Sequence, residues 1–138
     1  MEAKPPLISL EGYRDLRPLN QDIVDITEPV MGQGVVVVEL CGGILSATEA
    51  LIRTGVKVRQ LYVCEIDPEA RALAHARLKV LSKMFPELLP PEAFACCFTF
   101  LPQDIALIKP EHVRKLGHVD LIICGFPCQG FSRAARRA

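Results

Sequence analysis

The sequence predicts an α/β fold built on a parallel sheet, and three observations support this. Val35 to Leu40 is an apolar, β-branched run of strand length. The paired glycines Gly42-Gly43 follow it and precede a helical pattern, the order that begins a nucleotide-binding βαβ unit. Near the C-terminus, Leu121 to Cys124 is apolar without alternation, as expected for a strand that is buried on both faces.

Length, composition and charge limit the function classes. The chain has 138 residues, 50% of them hydrophobic, which is enough for one domain with a core. Sixteen basic residues balance sixteen acidic ones, so no global field attracts nucleic acid or a membrane surface. No apolar run approaches the roughly 20 residues that span a bilayer, and the N-terminus lacks the apolar core of a signal peptide. We expect an intracellular protein with no membrane partner.

The six cysteines do not form a metal site by their spacing. Only Cys124 and Cys128 are spaced like zinc ligands, and they lack further ligands nearby. We therefore expect no metal and reduced thiols at these positions: Cys41, Cys64, Cys96, Cys97, Cys124 and Cys128.

Two regions are expected along the chain. Residues 1–34 are rich in proline and glycine without a sustained period, which predicts an irregular N-terminal arm. Residues 35–138 contain the regular elements. Ser46 or Thr48 is expected to cap the first helix, which ends near Gly55. A second strand is predicted from Gln60 to Cys64.

The longest predicted helix runs from Glu69 to about Phe85, with Asp67 as its cap and Pro68 at its first position. Its predicted apolar face consists of Ala70, Leu73, Ala74, Leu78, Leu81 and Phe85.

The remaining elements predict how the sheet is ordered. Ala95 to Phe100 is predicted to be the third strand, and Lys109 to Leu116 a short helix closed by Gly117. Right-handed crossovers between four strands then give the order 3-2-1-4. Ligands of such a sheet bind at its carboxyl edge.

Several residues are placed for chemistry at that edge. Glu65 lies about twenty residues beyond the glycine turn, where an acidic residue accepts hydrogen bonds from ribose hydroxyls. The glycine turn itself suits either a cofactor or close packing, and Asp104 suits a cap or turn as well as a ligand. Pro127 holds Cys128 in a constrained turn beyond the last strand. A cysteine there is either a nucleophile or a small buried hydrophobe.

The run Gly-Phe-Pro-Cys-Gln-Gly-Phe-Ser at residues 125–132 resembles the catalytic loop of the cytosine-5 methyltransferases. The resemblance implies a Rossmann-like, S-adenosylmethionine-dependent methyltransferase fold, with residues 35–138 as a partial catalytic domain that is truncated before the remaining strands. It assigns Cys128 the attack on C6 of a flipped-out cytosine. Pro127 would orient this nucleophile, and Gln129 would belong to the loop that closes over the base.

The same resemblance identifies a cofactor site. The family's cofactor loop reads acid, Leu, Phe, any, Gly, any, Gly, Gly, and residues 39–46 keep the acid, the leucine and one glycine. Cys41 replaces the aromatic residue that packs on adenine, while Leu45 and Ser46 replace glycines and are expected to narrow the approach to the methionine end. The implied S-adenosylmethionine contacts are Cys41, Gly42, Gly43, Ile44, Leu45, Glu65, Ile66, Asp104 and Ile105.

Three functions remain open at this stage. The chain resembles DNA cytosine-5 methyltransferases, the related transfer-RNA branch has the same Glu-Leu before its glycine turn, and a non-catalytic partner subunit is the third alternative. The family's later Glu-Asn-Val motif does not follow the catalytic loop. We therefore expect a fragment or one part of a split enzyme, inactive alone, with a second chain supplying the missing half. The location would be nuclear in a eukaryote and cytoplasmic in a bacterium.

Overall fold

The computed structural model describes residues 33–126 and contains three strands and three α-helices in that part of the chain. The strands are β1 (Val35–Leu40), β2 (Val58–Cys64) and β3 (Leu121–Cys124). The helices are α1 (Ser46–Arg53), α2 (Pro68–Met84) and α3 (Pro110–Leu116), with 3-10 helices at Pro91–Ala93 and Ile105–Leu107. The predicted α/β class is confirmed. The predicted arm at residues 1–34 lies almost wholly outside the described residues.

The sheet is parallel, and β1 is its central strand, in the order β2-β1-β3. At the carboxyl edge, Leu40 of β1 is the Cα partner of Cys64 in β2 and of Cys124 in β3. The ends of all three strands therefore lie side by side. This places the glycine turn after β1 between the loops that follow the other two strands.

The prediction of a strand at Ala95 to Phe100 is wrong. The predicted four-stranded order 3-2-1-4 is therefore also wrong in its first member. This segment forms consecutive turns, with hydrogen bonds from Cys97 N to Phe94 O (3.1 Å) and from Thr99 N to Cys96 O (3.0 Å). The segment still lies beside β2, because Val63 N donates to Cys97 O at 2.8 Å. The prediction placed this segment beside the correct strand but gave it the wrong conformation. Local hydrogen bonds satisfy its backbone groups in place of pairing with a neighbouring strand.

Alternate residues of β1 enter two separate parts of the core, one on each face of the sheet. Val37 packs with Ile52 of α1 and Leu78 of α2. Val36 and Val38 face the opposite side, in a cluster that includes Leu116 of α3. Helices therefore cover both faces of the sheet, as expected for a parallel α/β fold with a strand buried on both sides.

Helix α2 begins and ends close to the predicted residues, and its cap is confirmed. The Asp67 carboxylate accepts hydrogen bonds from Glu69 N (2.9 Å) and Ala70 N (3.4 Å). The predicted apolar face is only partly right, because Leu73 is 62% exposed. The buried residues of the helix are Ala74, Leu78, Leu81 and Ser82.

Strand β3 is held to β1 at both of its ends. At the start, Asp120 N donates to Val36 O (3.0 Å) and the Asp120 carboxylate accepts from Val36 N (2.8 Å). At the end, Gly125 N donates to Leu40 O at 3.1 Å. Ile122 in the middle of the strand is 64% exposed, so the described part of the molecule does not bury this strand as a central one.

Within residues 33–126, none of the helices has the length and apolar character needed to cross a membrane.

Candidate active site

The turn after β1 is shaped by backbone conformations that favour glycine. Cys41, Gly43 and Leu45 all have positive φ, at 52°, 54° and 62°. Leu45 N donates to Gly42 O at 2.8 Å and closes the turn. A Cβ on Gly42 would lie 2.8 Å from Leu45 Cδ2, too close for any other residue without movement. Two non-glycine residues thus occupy left-handed conformations at one edge of the sheet, a strained arrangement typical of functional sites.

Glu65 connects the end of β2 to this turn. Its Oε2 accepts a hydrogen bond from Gly43 N at 2.7 Å, and its Oε1 accepts from Asp67 N at 2.9 Å. Arg71 of α2 donates to the Glu65 backbone carbonyl at 2.7 Å and fixes the same loop. The structure therefore brings together the predicted glycine turn and the predicted acidic residue, although a role of Glu65 in ribose binding stays a prediction.

Glu39 is a buried charge that the prediction of site residues omitted. Its side chain is 3% exposed, and its carboxylate accepts hydrogen bonds from Thr48 N (3.2 Å) and from the Thr48 hydroxyl. Burial raises the pKa of Glu39 above its ordinary value of 4.5, and the Thr48 hydrogen bonds partly offset this rise. A single acidic residue near the end of an otherwise apolar strand is the sequence feature that could have identified Glu39 as part of the site.

Helix α1 begins differently from the prediction. Leu45 occupies the cap position without a side-chain hydrogen bond, because the Thr48 hydroxyl donates to Glu39 and does not cap the helix. Neither Ser46 nor Thr48 is the cap. The connection between strand and helix is instead secured by the buried pair of Glu39 and Thr48.

The side chains around the turn are either buried in the core or exposed at the carboxyl edge of the sheet. Leu45 was expected to narrow the approach to the methionine end of the cofactor, but its side chain is fully buried in the core. Only its backbone lies at the turn. Ile44 is 42% exposed and Ile66 is 65% exposed. Ile66 directly follows Glu65 and Ile44 directly follows Gly43, so an exposed apolar residue follows each partner of the hydrogen bond between Glu65 and the turn.

Asp104 and Ile105 lie in the loop that follows the turn-rich segment. The Asp104 carboxylate accepts from Ala106 N at 2.9 Å and caps the short 3-10 helix, the structural role that was the alternative to ligand binding. Ile105 is partly buried against the core on the α3 side. The preceding Gln103 has a buried Oε1 without a hydrogen-bond partner among the described residues. Its backbone carbonyl accepts from the Cys64 thiol at 3.4 Å, which places this loop at the end of β2.

The loop after β3 begins directly against the glycine turn. A Cβ on Gly125 would lie 3.2 Å from Cys41 O. Pro127, Cys128 and Gln129 follow within a few residues but lie outside the described residues. Among residues 33–126, no group of three or more His, Cys, Asp or Glu side chains is arranged to hold a metal ion.

Comparison with protein families identifies the family of this chain. The profile of the C-5 cytosine-specific DNA methylases matches residues 36–138, from β1 through the loop after β3. The chain belongs to the C-5 cytosine-specific DNA methylase family. A search of curated proteins found no significant match.

Membership of the C-5 cytosine methylase family indicates a domain for methyl transfer to C5 of cytosine. The family normally uses S-adenosylmethionine. The residues at the carboxyl edge fit such a molecule, because the Glu65 carboxylate is fixed by Gly43 N and the next residue after each, Ile66 and Ile44, is apolar and exposed. The buried and unpartnered Gln103 Oε1 adds a hydrogen-bond acceptor nearby.

Proposed function

We propose that the chain is part of a DNA cytosine-5 methyltransferase that acts through a covalent bond between Cys128 and C6 of the target cytosine. One observation carries the proposal: the loop that contains Cys128 begins at Gly125, which is hydrogen-bonded to Leu40 at the glycine turn (3.1 Å). Cys128 follows Gly125 by three residues in the sequence, so we assign the nucleophile's role to Cys128 and the methyl donor to that turn.

The chemistry follows from the electronic structure of cytosine. C5 of the base is a weak nucleophile, and addition of the Cys128 thiolate to C6 converts it into an enamine carbon that attacks an electrophilic methyl group. Loss of the C5 proton and elimination of Cys128 then release 5-methylcytosine and regenerate the thiolate. Pro127 orients the nucleophile, Gln129 belongs to the loop over the base, and the target base must leave the duplex to reach the sulfur.

The proposed cofactor is S-adenosylmethionine, which supplies the electrophilic methyl group when bound. Glu65, which accepts a hydrogen bond from Gly43 N, would also accept hydrogen bonds from ribose hydroxyls. Asp104 would bind the adenine amino group, with Ile66 and Ile105 beside the rings. Backbone amides of residues 41–45 would contact the methionine end.

Covalent trapping tests this proposal. An oligonucleotide containing 5-fluorocytosine retains fluorine at C5, so elimination fails and the adduct accumulates in the presence of cofactor. In the presence of the second chain proposed below, we expect an adduct with the wild-type chain and with Cys96→Ser, since Cys96 is an exposed cysteine in the turn-rich segment beside β2. We expect none with Cys128→Ser. An adduct that persists in Cys128→Ser would refute the role of this residue, and trapping on transfer RNA but not on DNA would reassign the substrate.

A non-catalytic partner subunit is the second candidate, and the glycine turn is the observation that favours it. Cys41 and Leu45 occupy left-handed conformations at positions where the family pattern has an aromatic residue and a glycine. Calorimetry with S-adenosylhomocysteine distinguishes the two functions. Binding supports the enzyme, and no binding at millimolar ligand supports the non-catalytic subunit.

We also propose that a second chain completes the enzyme and that the 138-residue chain is inactive alone. The exposure of Ile122 on β3 supports an additional neighbour at this side of the sheet. Methyl transfer to DNA by the purified 138-residue chain would contradict this.

A further inference from the structure

Three cysteines meet at the carboxyl edge of the sheet, one from each strand end. Cys64 and Cys124 are the last residues of β2 and β3, and both are Cα partners of Leu40. Cys41 follows Leu40 directly. Its left-handed conformation, with φ of 52°, ends the strand and turns the chain at this point.

The three thiols are close enough to influence one another. Burial is the main reason that the pKa of Cys124 is raised, and the neighbouring Cys41 thiol raises it further. Burial is also the main reason that the pKa of Cys64 rises to about 11, with Cys41 and Cys124 contributing. The three cysteines thus lie in one group at the strand ends, where each of Cys64 and Cys124 is influenced by Cys41.

Accessibility separates the members of this cluster. Cys64 is 1% exposed and hydrogen-bonded to Gln103 O, whereas Cys41 and Cys124 are both partly exposed. A dissolved oxidant therefore reaches Cys41 and Cys124 but not Cys64. Because burial raises the pKa of Cys124 and so disfavours its thiolate, Cys41 is the better candidate for the first attack on an oxidant.

The backbone geometry at this edge suits a covalent bond between the two. Cys41 is one residue beyond Leu40, the Cα partner of Cys124, so the two cysteines are diagonal neighbours across adjacent strands. Strand spacing of about 4.8 Å and a rise of about 3.3 Å per residue place such Cα atoms roughly 6 Å apart, inside the range of roughly 4.4–6.8 Å that a disulfide requires. Gly125 N to Leu40 O is 3.1 Å, so the strand ends are held together directly beside the two cysteines. No large backbone movement is needed to join Cys41 to Cys124.

We propose that Cys41 and Cys124 form a reversible disulfide that fixes the start of the catalytic loop to the glycine turn and weakens cofactor binding. The oxidant is a peroxide. The Cys41 thiolate attacks one peroxide oxygen, the O–O bond breaks, and Cys41 becomes a sulfenic acid as the leaving oxygen takes protons and departs as water. The Cys124 sulfur then attacks the sulfenyl sulfur, and a second water leaves. A dithiol reductant reverses the reaction by thiol–disulfide exchange.

The effect on cofactor binding rests on the proposed function, whereas disulfide formation does not. Cys41 belongs to the turn that we propose contacts the cofactor, and Cys124 immediately precedes Gly125, where the loop after β3 begins. A bond between them would restrict both the turn and the loop. Oxidation would therefore be expected to switch the site off without damage to the core.

Disulfide mapping tests the inference. The 138-residue chain is treated with hydrogen peroxide, remaining thiols are alkylated, and peptides are identified by mass spectrometry. We expect a Cys41–Cys124 linkage that dithiothreitol removes, that Cys41→Ser and Cys124→Ser each abolish, and that Cys96→Ser retains. Mapping in the wild type needs no variant to fold. Linkages that involve only Cys128 or Cys96, or no linkage in a chain with unchanged circular dichroism, would overturn the proposal.

Calorimetry with S-adenosylhomocysteine tests the second part, in wild type and in Cys128→Ser to remove the competing thiol. We expect at least tenfold weaker binding after oxidation and full recovery with dithiothreitol. Equal affinity of the oxidised and reduced chains would overturn the switch. A mapped disulfide without ligand binding in either state would refute the proposed function and leave the disulfide intact. Ligand binding without a mapped disulfide would refute the disulfide and leave the proposed function intact.

Discussion

Glu39 is the residue that most directly joins the core to the candidate site. It lies at the end of the central strand, is almost completely buried, and accepts two hydrogen bonds from Thr48 in the first turn of α1. The carboxylate therefore positions the glycine turn through the helix that follows it. Burying a charge in this way is costly, which is why the pKa of Glu39 is raised.

The raised pKa makes a prediction about stability and pH. Above pH 4.5 the unfolded chain releases the Glu39 proton before the native chain does, so the native state binds more protons and the free energy of unfolding falls as pH rises. In Glu39→Gln this fall should disappear, and the variant should gain stability relative to wild type between pH 4 and pH 8. Urea denaturation at several pH values measures this. The exposed Glu92→Gln is the control, and parallel pH curves for Glu39→Gln and wild type would contradict the prediction.

Among the secondary-structure elements, helix α2 depends on its first turn. The Asp67 side chain accepts hydrogen bonds from two backbone amides that have no partner within the helix, and Pro68 occupies the first helical position. The same segment leads from Glu65 into the helix. The cap therefore stabilises α2 and limits movement of the acidic loop.

Removal of this cap should be measurable. Asp67→Ala is expected to lower the free energy of unfolding by about 1 kcal/mol, the usual cost of losing a capping side chain. Asp67→Asn, which keeps an oxygen acceptor, should lose much less. Chemical denaturation followed by circular dichroism gives both values, and equal losses in the two variants would show that the charge rather than the cap matters.

Strand β3 depends in the same way on Asp120. The amide of Val36 donates to its carboxylate, and His118 Nε2 lies 2.7 Å from the other oxygen. The Val36 hydrogen bond is the main reason that the pKa of Asp120 lies below its ordinary value of 3.8.

Asp120→Ala leaves the Val36 amide without its acceptor and should cost about 1–3 kcal/mol at pH 7. Because the native pKa is lowered, this stabilisation is present above pH 3.8 and is lost as pH falls through the lower native value. The difference between wild type and Asp120→Ala should therefore shrink below pH 3.8. Denaturation of both proteins at pH 7 and at pH 3 tests this, with Asp120→Asn as the matched control. A difference that is unchanged at pH 3 would exclude the carboxylate as its source.

At the scale of the whole molecule, the three strand ends form one edge where the glycine turn, Glu65 and the start of the loop after β3 meet. Glu65 contacts the glycine turn, Gly125 contacts the end of β1, and the Asp104 loop contacts the end of β2 through Gln103. A ligand at this edge would connect three segments that are far apart in the sequence. Its binding should therefore stabilise the fold as a unit.

S-adenosylhomocysteine at about 100 times its dissociation constant should raise the free energy of unfolding by about 2.7 kcal/mol. Glu65→Gln should show a smaller rise at the same concentration, because an amide cannot accept hydrogen bonds at both positions. Thermal denaturation with and without ligand measures the effect, and the exposed Glu87→Gln should behave as wild type. An unchanged melting temperature for wild type at millimolar ligand would contradict a cofactor site at this edge.

Much of this edge could be predicted from local features of the chain. The apolar run at β1, the paired glycines and the Asp67-Pro68 pair each act through their immediate neighbours, so the sequence determined the strand, the turn and the helix start. The family resemblance at residues 125–132 identified the loop, and the profile match at residues 36–138 confirmed the family. The position of β1 between β2 and β3 also agreed with the predicted crossovers.

Only the tertiary structure decided features that depend on partners far away in the chain. Ala95 to Phe100 has strand composition, yet local turns satisfied its backbone, and Leu73 has the helical spacing of a core residue but remained exposed. The proximity of Cys41 to Cys124 arose because parallel strands bring their ends to one edge. The pairing of Glu39 with Thr48 arose because the glycine turn brings the start of α1 back to the end of β1. Sequence periodicity specifies which side of an element is apolar, whereas packing determines which groups it meets.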